Sequence, residues 1–360
     1  MRRHATTALV LLALLGCLLL AGTGSAAEPR PLVYSKTQWE WPGEEQPLRE
    51  WGGLYAAAEG QHRQLTFHPG DREPNVSRGG EEIVFVREGD IYAMDADGSD
   101  QRRLTSGPDL DERPQISPAI GGAYVLFTRR SALGEPRHLF TVYLTGGAPR
   151  QLTSGRGDDF EPSFSPDGRL IVFVRGLPGP AGGEFGGNAE LFSIRPSADG
   201  LTRLTRTLRD ELHPRYVAHG IVFQRRNAIH TPLAIFSIPR YGGKTRPLVS
   251  RKGNSRVGAV SPDGRLLLFN SNGIWKKRLL SSGSWTRPHR LSSQSSENLV
   301  FSPDGRRVAG TFANTSSEVS PFYLLTSIDV STGIGQGAIE TWEREEPGPV
   351  QTSIGPVLGW

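Results

Sequence analysis

Short apolar runs alternate with polar turns along most of the chain, and one stretch shows the pattern most clearly. From Asp159 an acidic turn leads through Pro162 into a short strand, Ser165 to Gly168 form a tight turn, and Leu170 to Val174 follow as a β-branched run. Proline presets φ at such a turn and glycine supplies positive φ, so the two runs are expected to pair as a hairpin. The pattern predicts a β-structure built from hairpins.

This unit recurs at a nearly regular interval. A Leu-Thr pair or a near equivalent marks each copy, at a spacing of 39 to 52 residues, at Leu65, Leu104, Leu152, Leu204, Leu248 and Leu291. After each mark come a polar turn, a strand ending in Ser-Pro or its remnant, an apolar strand and a third strand with an aromatic residue. Four short antiparallel strands per unit are typical of a propeller blade, so the sequence predicts an all-β fold, a β-propeller of four-stranded blades.

The repeated motifs resemble those of a known family. The Leu-Thr, acidic-x-x-Pro, Ser-Pro-Asp-Gly and Asp-Ile-Tyr elements are similar to those of the TolB-like, WD-repeat-like β-propellers over residues 51 to 325. Related propellers form the front domain of prolyl-oligopeptidase-type enzymes. The sequence contains no Gly-x-Ser-x-Gly nucleophile motif, so the resemblance implies a propeller without the hydrolase domain of those enzymes.

The two ends of the chain each match part of one blade. Pro31 to Ser35, Gly53 to Ala57 and His62 to Thr66 are predicted as a second, third and fourth strand without a first strand. Gly355 to Trp360 matches the start of a first strand. Pairing the ends completes a seventh blade and removes both exposed sheet edges, which favours seven blades. Six blades with loose termini, as TolB itself suggests, is the alternative.

Residues 1 to 27 have the three parts of a secretory signal: two arginines, an apolar segment from Leu9 to Ala21, and small residues before Glu28. The apolar segment is short for a membrane span, so no membrane-spanning segment is predicted. We expect an exported protein, secreted or periplasmic, with a single propeller domain over residues 28–360. A lipobox-like sequence ending at Cys17 leaves a lipoprotein anchored there as the alternative.

Charge and cysteine content narrow the picture further. The formal net charge is +4, and no basic run stands out, so a nucleic-acid partner is not expected. Cys17 is the single cysteine and lies inside the predicted signal. Without it the fold has no disulfide and depends on its own core.

Candidate binding loops lie on one side of the predicted ring. In a propeller, the turns before the first strands and the loops between the second and third strands open on the same side. We name this side the insertion face, because the irregular insertions lie mostly in the second class, at residues 36–52, 129–138, 176–188 and 225–232. The first insertion holds Trp39, Trp41 and Trp51. These rings are candidates for stacking on a sugar or peptide; the alternative is that they cover the closing blade.

Two sets of polar residues recur before the first-strand prolines. The nearer set is predicted at the mouth of the central channel, where a mixed polar ring is a candidate ligand site, and consists of Glu73, Arg113, Glu161, His213, Val257 and Asn298. The second set lies two residues earlier and consists of Asp71, Asp111, Asp159 and Glu211. The regularity of these acids favours a structural role, in which each bonds the following backbone as an Asx-type turn.

No motif predicts catalysis, a metal or a cofactor. Asp95 to Asp100 resembles a calcium loop superficially, but Ser106 stands where an EF-hand requires glutamate. The favoured hypothesis is an exported, non-enzymatic propeller that binds a partner protein or a cell-envelope component through its insertion face. The alternative is a propeller enzyme, a polysaccharide lyase or hydrolase with its site at the channel mouth, because propellers assemble sites from several blades. The sequence does not indicate an oligomeric state.

Overall fold

The computed structural model describes residues 31–40, 49–58, 61–118, 124–131, 135–178, 187–226, 233–249, 255–302, 304–314, 322–331, 335–343 and 350–354. The strands of these ranges form seven antiparallel sheets of four strands each. The sheets are the blades of a β-propeller, and the first strands of blades 2 to 7 line a central cavity. The predicted all-β fold with seven blades is therefore confirmed.

Blades are numbered here in chain order. Blade 1 comprises β1 (Leu32–Glu40), β2 (Arg49–Ala58), β3 (Gln61–Gln64) and the C-terminal β28 (Val350–Ile354). Blade 2 comprises β4 (Arg72–Val76), β5 (Glu82–Arg87), β6 (Asp90–Asp95) and β7 (Arg102–Arg103); blade 3, β8 (Leu110–Ile116), β9 (Tyr124–Arg130), β10 (His138–Tyr143) and β11 (Arg150–Gln151). Blade 4 comprises β12 (Asp158–Phe164), β13 (Ile171–Pro178), β14 (Gly187–Ile194) and β15 (Thr202–Arg203); blade 5, β16 (Asp210–Val217), β17 (Gly220–Arg226), β18 (Ala234–Ile238) and β19 (Arg246–Val249). Blade 6 comprises β20 (Arg256–Val260), β21 (Leu266–Asn270), β22 (Ile274–Arg278) and β23 (His289–Ser292); blade 7, β24 (Ser296–Phe301), β25 (Arg307–Asn314), β26 (Phe322–Asp329) and β27 (Gly335–Glu343).

The ring closes where the C-terminal strand joins blade 1. β28 pairs antiparallel with β1 in a register that runs from Lys36 opposite Ile354 to Glu40 opposite Val350. Pairing of the two ends was predicted, but the closing strand is Val350–Ile354, whereas the predicted Gly355 to Trp360 lies outside the described residues. Alternating β-branched residues of β28, which fit a strand well, give this segment its strand character.

The first insertion is also more regular than predicted. β1 and β2 continue as a long hairpin, in which Trp39 lies opposite Glu50 and Gln38 lies opposite Trp51. Most of the segment 36–52 is therefore paired strand rather than loop, and only residues 41–48 of it fall outside the described ranges. Neighbouring strand backbones satisfy each other's hydrogen bonds here, which explains the extension.

The Leu-Thr motif has a structural cause in four blades. The leucine side chain is buried, and the threonine hydroxyl accepts the backbone N–H of a residue in the third strand of the blade. The donor–acceptor distance is 2.9 Å in all four bonds, Leu54 to Thr66, Ile91 to Thr105, Leu139 to Thr153 and Leu191 to Thr205. Because an unpaired buried N–H is costly, the hydroxyl anchors the chain at the end of each blade.

The Ser-Pro-Asp-Gly turns share a second device. In blade 4, the Ser165 hydroxyl accepts the Leu170 amide at 3.0 Å, and Gly168 adopts φ of 67°. Ser261 and Ser302 accept the amides five residues later in the same way. These turns join first and second strands on the side of the ring opposite the insertion face.

Blades 2 to 5 share an ion pair that we name the Arg–acid clamp. A carboxylate at the start of the first strand, at most 1% exposed, receives a forked pair of contacts from an arginine at the end of the second strand. The pairs are Asp71 with Arg87, Asp111 with Arg129, Asp159 with Arg175, and Glu211 with Arg225. Each guanidinium also lies over two stacked aromatic rings, as in Arg225, whose Cζ is 4.3 Å from the centroid of Phe236.

These clamps correct one prediction. The recurrent acids are structural, but a guanidinium holds them rather than the following backbone of an Asx-type turn. Blade 6 has no acid at this position; the hydroxyls of Ser255 and Ser271 bond each other there at 3.1 Å. The clamps fix the angle at which the chain enters the first strand, and hence the position of the residues that follow.

Candidate functional site

The site begins with a bulge in each first strand. The pairing register shifts by extra residues in β4, β8, β12, β16, β20 and β24. Five non-glycine residues at these bulges have positive φ, between 50° and 56°: Glu73, Arg113, Glu161, His213 and Asn298. A left-handed conformation costs an ordinary residue roughly 1–3 kcal/mol and is common at functional sites, where the surrounding structure enforces it.

The bulge residues are the polar ring predicted from the sequence, with one exception. Glu73, Arg113, Glu161, His213 and Asn298 all line the central cavity. Val257 does not line it, and the neighbouring Gly258 does so instead. The structure therefore brings the ring together around one space, as the spacing predicts; a binding role for it stays a prediction.

Glutamates of the ring fasten neighbouring blades to each other. Glu73 Oε2 accepts the backbone N–H of Arg113 at 2.6 Å, which joins blade 2 to blade 3. Glu161 Oε2 accepts the backbone N–H of His213, also at 2.6 Å, which joins blade 4 to blade 5. The second oxygen of Glu161 lies 2.9 Å from His213 Nδ1. These bonds satisfy the amides that the bulges withdraw from the sheet ladder.

Electrostatics around Glu161 favour its ionised form. Burial acts most strongly and would raise the pKa of this carboxyl, but the hydrogen bonds and charge of His213, with a further contribution from Arg215, outweigh burial and leave the pKa below its ordinary value. Glu161 is therefore a carboxylate at neutral pH. Its negative charge is shared with His213 rather than presented to the cavity.

The residues two positions further along the first strands form a deeper tier of the cavity wall. Asn75 Oδ1 accepts the Ile116 amide at 2.9 Å, and Gln115 Nε2 donates to the Pro162 carbonyl at 2.8 Å, so both residues again join adjacent blades. In blade 5 this position is Arg215. Sequence reasoning missed Arg215, although strand alternation counted from His213 was an available signal.

Arg215 differs from the arginines of the clamps. It lies in the central cavity, enclosed by protein yet partly accessible to water. Burial lowers its pKa most, the charge of Glu161 opposes that effect, and the charge of Arg113 adds to it. Within the described residues its guanidinium donates one hydrogen bond, from Nη1 to the carbonyl oxygen of Pro214 at 3.0 Å.

The cavity has a volume of about 750 Å³, within the range of small-molecule sites. Besides the ring and the deeper tier, Tyr216, Phe164 and the first-strand prolines line it. The Tyr216 hydroxyl is buried without a hydrogen-bond partner in the described residues. The wall is thus a mixed surface of charged, amide and apolar groups.

Of the three predicted stacking tryptophans, Trp51 has a described side chain. It lies in β2, is 40% exposed and is not part of the cavity wall. Trp39 lies in β1, and Trp41 falls outside the described residues. The ring of Trp51 and the polar ring therefore belong to separate places, and a stacking role for the tryptophans stays a prediction.

Exposed apolar side chains occur on both sides of the ring. Phe67 and Leu208 lie in turns between blades on the insertion face and are 80% and 91% exposed. On the opposite side, Tyr143 ends β10 and Tyr241 lies in the turn between β18 and β19; they are 63% and 76% exposed. That side also carries the long connection between β22 and β23, which runs from Arg278 to His289.

In the described ranges, no three His, Cys, Asp or Glu side chains are placed to hold a metal ion together. Likewise, those ranges include no helix with the length and apolar character to cross a membrane.

Seven four-stranded blades around a cavity lined by the first strands of blades 2 to 7 define a β-propeller, and part of the sequence is similar to a TolB homolog. A stretch of 139 residues is 28% identical to the TolB homolog of Chlorobium chlorochromatii, and covers 26% of this chain and 31% of that protein. A stretch of 85 residues is 33% identical to an uncharacterized protein, Atu1656, of Agrobacterium fabrum, and covers 24% and 28% of the two chains. The matches thus span under a third of either relative. No family model matches the chain.

Solved structures share the fold at low sequence identity. An oligogalacturonate lyase in complex with manganese superposes with a TM-score of 0.58 at 14% identity, covering 86% of this chain and 85% of the lyase. A puromycin-hydrolyzing peptidase of Mycobacterium tuberculosis gives the same TM-score and identity, covering 89% of this chain and 55% of the peptidase. At these identities the likeness concerns the fold alone.

Proposed function

We propose that this chain is an exported, non-enzymatic propeller that binds a partner protein or a cell-envelope component at its insertion face. The observation that carries the proposal is that the glutamates of the polar ring bond the backbone of neighbouring blades. Glu73 and Glu161, the groups best suited to acid–base chemistry, hold the backbone of the next blade, and Glu161 also engages His213. The ring is therefore a rigid frame for recognition.

The clamps that precede the bulges hold the residues of this frame in place. Arg–acid clamps set the chain direction just before the bulges in blades 2 to 5, with buried carboxylates at their centres. Rigid groups lose little conformational entropy on binding, which raises affinity for a given contact area. Variable loops over such a frame are where recognition is found in many folds.

Export is part of the proposal and rests on the N-terminal signal pattern. We expect a mature protein that begins near Glu28, either secreted or periplasmic. Intact-mass measurement of the protein from its host tests this. A diacylglyceryl mass on an N-terminal Cys17 would instead establish the lipoprotein alternative, and an unprocessed chain would contradict export.

A catalytic channel is the second candidate. It is favoured by the volume of the cavity, about 750 Å³, and by the His213–Glu161 pair on its wall. Turnover of a polysaccharide or a peptide by the wild-type protein, abolished by His213→Ala, would establish it and would exclude the non-enzymatic proposal.

The binding proposal is tested by pull-down from envelope extracts of the host. The test variant combines Trp39→Ala, Trp41→Ala and Arg113→Ala on the insertion face. The matched control combines Tyr143→Ala and Tyr241→Ala, two exposed aromatics on the opposite side. An anchor residue contributes about 2 kcal/mol or more to binding, so the triple variant is expected to lose its partner while the control retains it. Equal recovery by all three proteins would contradict the assignment of the face.

A further inference from the structure

We propose that the central cavity binds a small organic ligand through a carboxylate, held by the guanidinium groups of Arg113 and Arg215. This site goes beyond partner binding at the insertion face and does not depend on it.

Among the described residues, no carboxylate lies within ion-pair distance of Arg215, although the charge of Glu161 still acts on it. In the clamps, Arg87, Arg129, Arg175 and Arg225 each fork onto a buried carboxylate. Within the described residues, the Arg215 guanidinium donates only to the Pro214 carbonyl, and no carboxylate oxygen lies within ion-pair distance of it. A guanidinium has five N–H donors, so an enclosed one with a single bond is able to hold an anion.

Arg113 adds a second positive group to the same space. Its backbone N–H is held by Glu73, while its guanidinium has no hydrogen-bond partner among the described residues. The two arginines are close enough for the charge of Arg113 to lower the pKa of Arg215. Arg113 is exposed and Arg215 half-buried, both on one cavity wall. Like charges on one wall repel, and an anion between them relieves that repulsion.

The acids nearby are already engaged. Glu161 accepts from the His213 backbone and contacts His213 Nδ1, and one oxygen of Glu73 holds the Arg113 amide. Neither glutamate is within ion-pair distance of Arg215. An external anion is therefore the group that completes the site.

The wall indicates a carboxylate rather than a dianion. Three arginines and two glutamates line the cavity, so the arginines outnumber the glutamates by one. Guanidinium forks match both carboxylates and phosphates, but the fixed glutamates disfavour a doubly charged group. Beside Arg215 the lining is largely uncharged, with Tyr216, Ala259 and Val300, which suits the organic body of a small ligand.

Calorimetric titration tests the site with four probes. Trigalacturonate and a tripeptide with a free C-terminal carboxylate represent the two sources of the carboxylate. The same tripeptide as its C-terminal amide is the neutral control, and inorganic phosphate is the dianion control. We expect at least one carboxylate probe to bind, and its source identifies the ligand class. The amide and phosphate should bind about tenfold more weakly or not at all.

Variants assign the binding to the two arginines. Arg215→Gln and Arg113→Gln are each expected to weaken the carboxylate probe by about tenfold or more. Arg195→Gln, an exposed arginine in the third-to-fourth-strand turn of blade 4, should leave it unchanged. Since no described carboxylate oxygen lies within ion-pair distance of Arg215, Arg215→Gln should lower the melting temperature much less than Arg175→Gln, which removes an arginine from a clamp.

Three results would overturn the proposal. These are no binding of either carboxylate probe, equal or tighter binding of the amide or phosphate, and unchanged carboxylate affinity in both arginine variants. Because the insertion-face variant includes Arg113→Ala, the pull-down is repeated with Trp39→Ala and Trp41→Ala alone, which leave both cavity arginines intact. Loss of the envelope partner by this double variant does not bear on the titrations, so the two proposals fail separately.

Discussion

At the scale of single residues, the Arg–acid clamp is the contact whose loss should destabilise the fold most. Asp159 is fully buried, and Arg175 contacts both of its oxygens while lying over Phe173 and Phe192. Removing one partner of such a pair leaves a buried charge without compensation, which costs far more than the pair contributes net of desolvation. The clamp therefore makes its first-strand start intolerant of single substitutions.

Asp159→Asn is expected to lower the free energy of unfolding by about 3–5 kcal/mol, because Arg175 loses its counter-ion. Arg175→Met should cost a similar amount, and the double variant less than the sum. Urea unfolding measures all three. The control is Asp199→Asn, whose partner Arg195 is exposed, so the expected cost is much smaller than that of Asp159→Asn. A cost for Asp159→Asn as small as that of the control would contradict the clamp.

The contribution of Asp167 to the stability of the fold depends on pH. Burial acts to raise its pKa, but hydrogen bonds from Arg240, Ser165 and the Arg169 amide outweigh burial and lower the pKa to about 2. A depressed folded-state pKa stabilises the fold above the unfolded-state value near 4, and this contribution is lost as the pH falls towards 2. Asp167 is 41% exposed, so screening limits the contribution to about 1 kcal/mol.

Asp167→Asn should therefore melt at a lower temperature than the wild type above pH 4. The difference in melting temperature should shrink as the pH falls from 4 to 2, because the wild-type carboxyl becomes protonated. Thermal unfolding of both proteins across this range is the measurement. A difference that stays constant, or grows on acidification, would show that the Arg240 contact is not ionic in origin.

At the scale of elements, the pairing of β28 with β1 determines whether the ring is closed. An unpaired β1 would leave a row of N–H and C=O groups exposed at a sheet edge. The register places Gln38 opposite Thr352, one pair from Thr37 opposite Ser353. This register is specific enough to test directly by cross-linking.

In a chain begun at Glu28, and hence without Cys17, Gln38→Cys combined with Thr352→Cys should form a disulfide on oxidation. The control is Gln38→Cys with Ser353→Cys, which is offset by one residue and should form little, because consecutive residues of a strand face opposite sides. The correct pair should stabilise the fold by about 2–4 kcal/mol. Reduction and gel mobility provide the yield. Equal yields for both pairs, or none for the first, would contradict the closure.

Several elements were predictable because their signals repeat. The Leu-Thr and Ser-Pro-Asp-Gly motifs give the blade, since each threonine and serine hydroxyl holds a particular backbone amide. The arginine of each clamp also recurs, at the end of the second strand, and could have been paired with its acid. The closing strand was misplaced because β28 belongs to no repeated motif. Its partner β1 lies near the other end of the chain, so no local pattern fixes the pairing.

Most residues of the candidate site were also predictable from the sequence. The polar ring follows from its position before the first-strand prolines, so Glu73, Arg113, Glu161 and His213 were found. Arg215 was missed because other blades have neutral residues at its position, such as Gln115 and Ser163. Positive φ at the bulges leaves no signal in these sequences, since none of the five residues is glycine.

At the scale of the whole molecule, the ring separates two surfaces. The insertion face receives the long β1–β2 hairpin and the turns that lead into the first strands, whereas the opposite side carries the Ser-Pro-Asp-Gly turns. Clamps and inter-blade bonds make this a stiff body whose surfaces do not substitute for each other. A partner specific to one face should therefore be detected from that face alone.

Photo-cross-linking in the host cell tests this central claim most directly. A benzoylphenylalanine is placed either at Trp51, at the insertion-face end of β2, or at Tyr241, on the opposite side. Ultraviolet irradiation of intact cells is expected to yield a discrete adduct from position 51, weakened by Arg113→Ala, and none from position 241. An adduct from position 241 alone, equal adducts from both positions, or none from position 51 would contradict a binding surface on the insertion face.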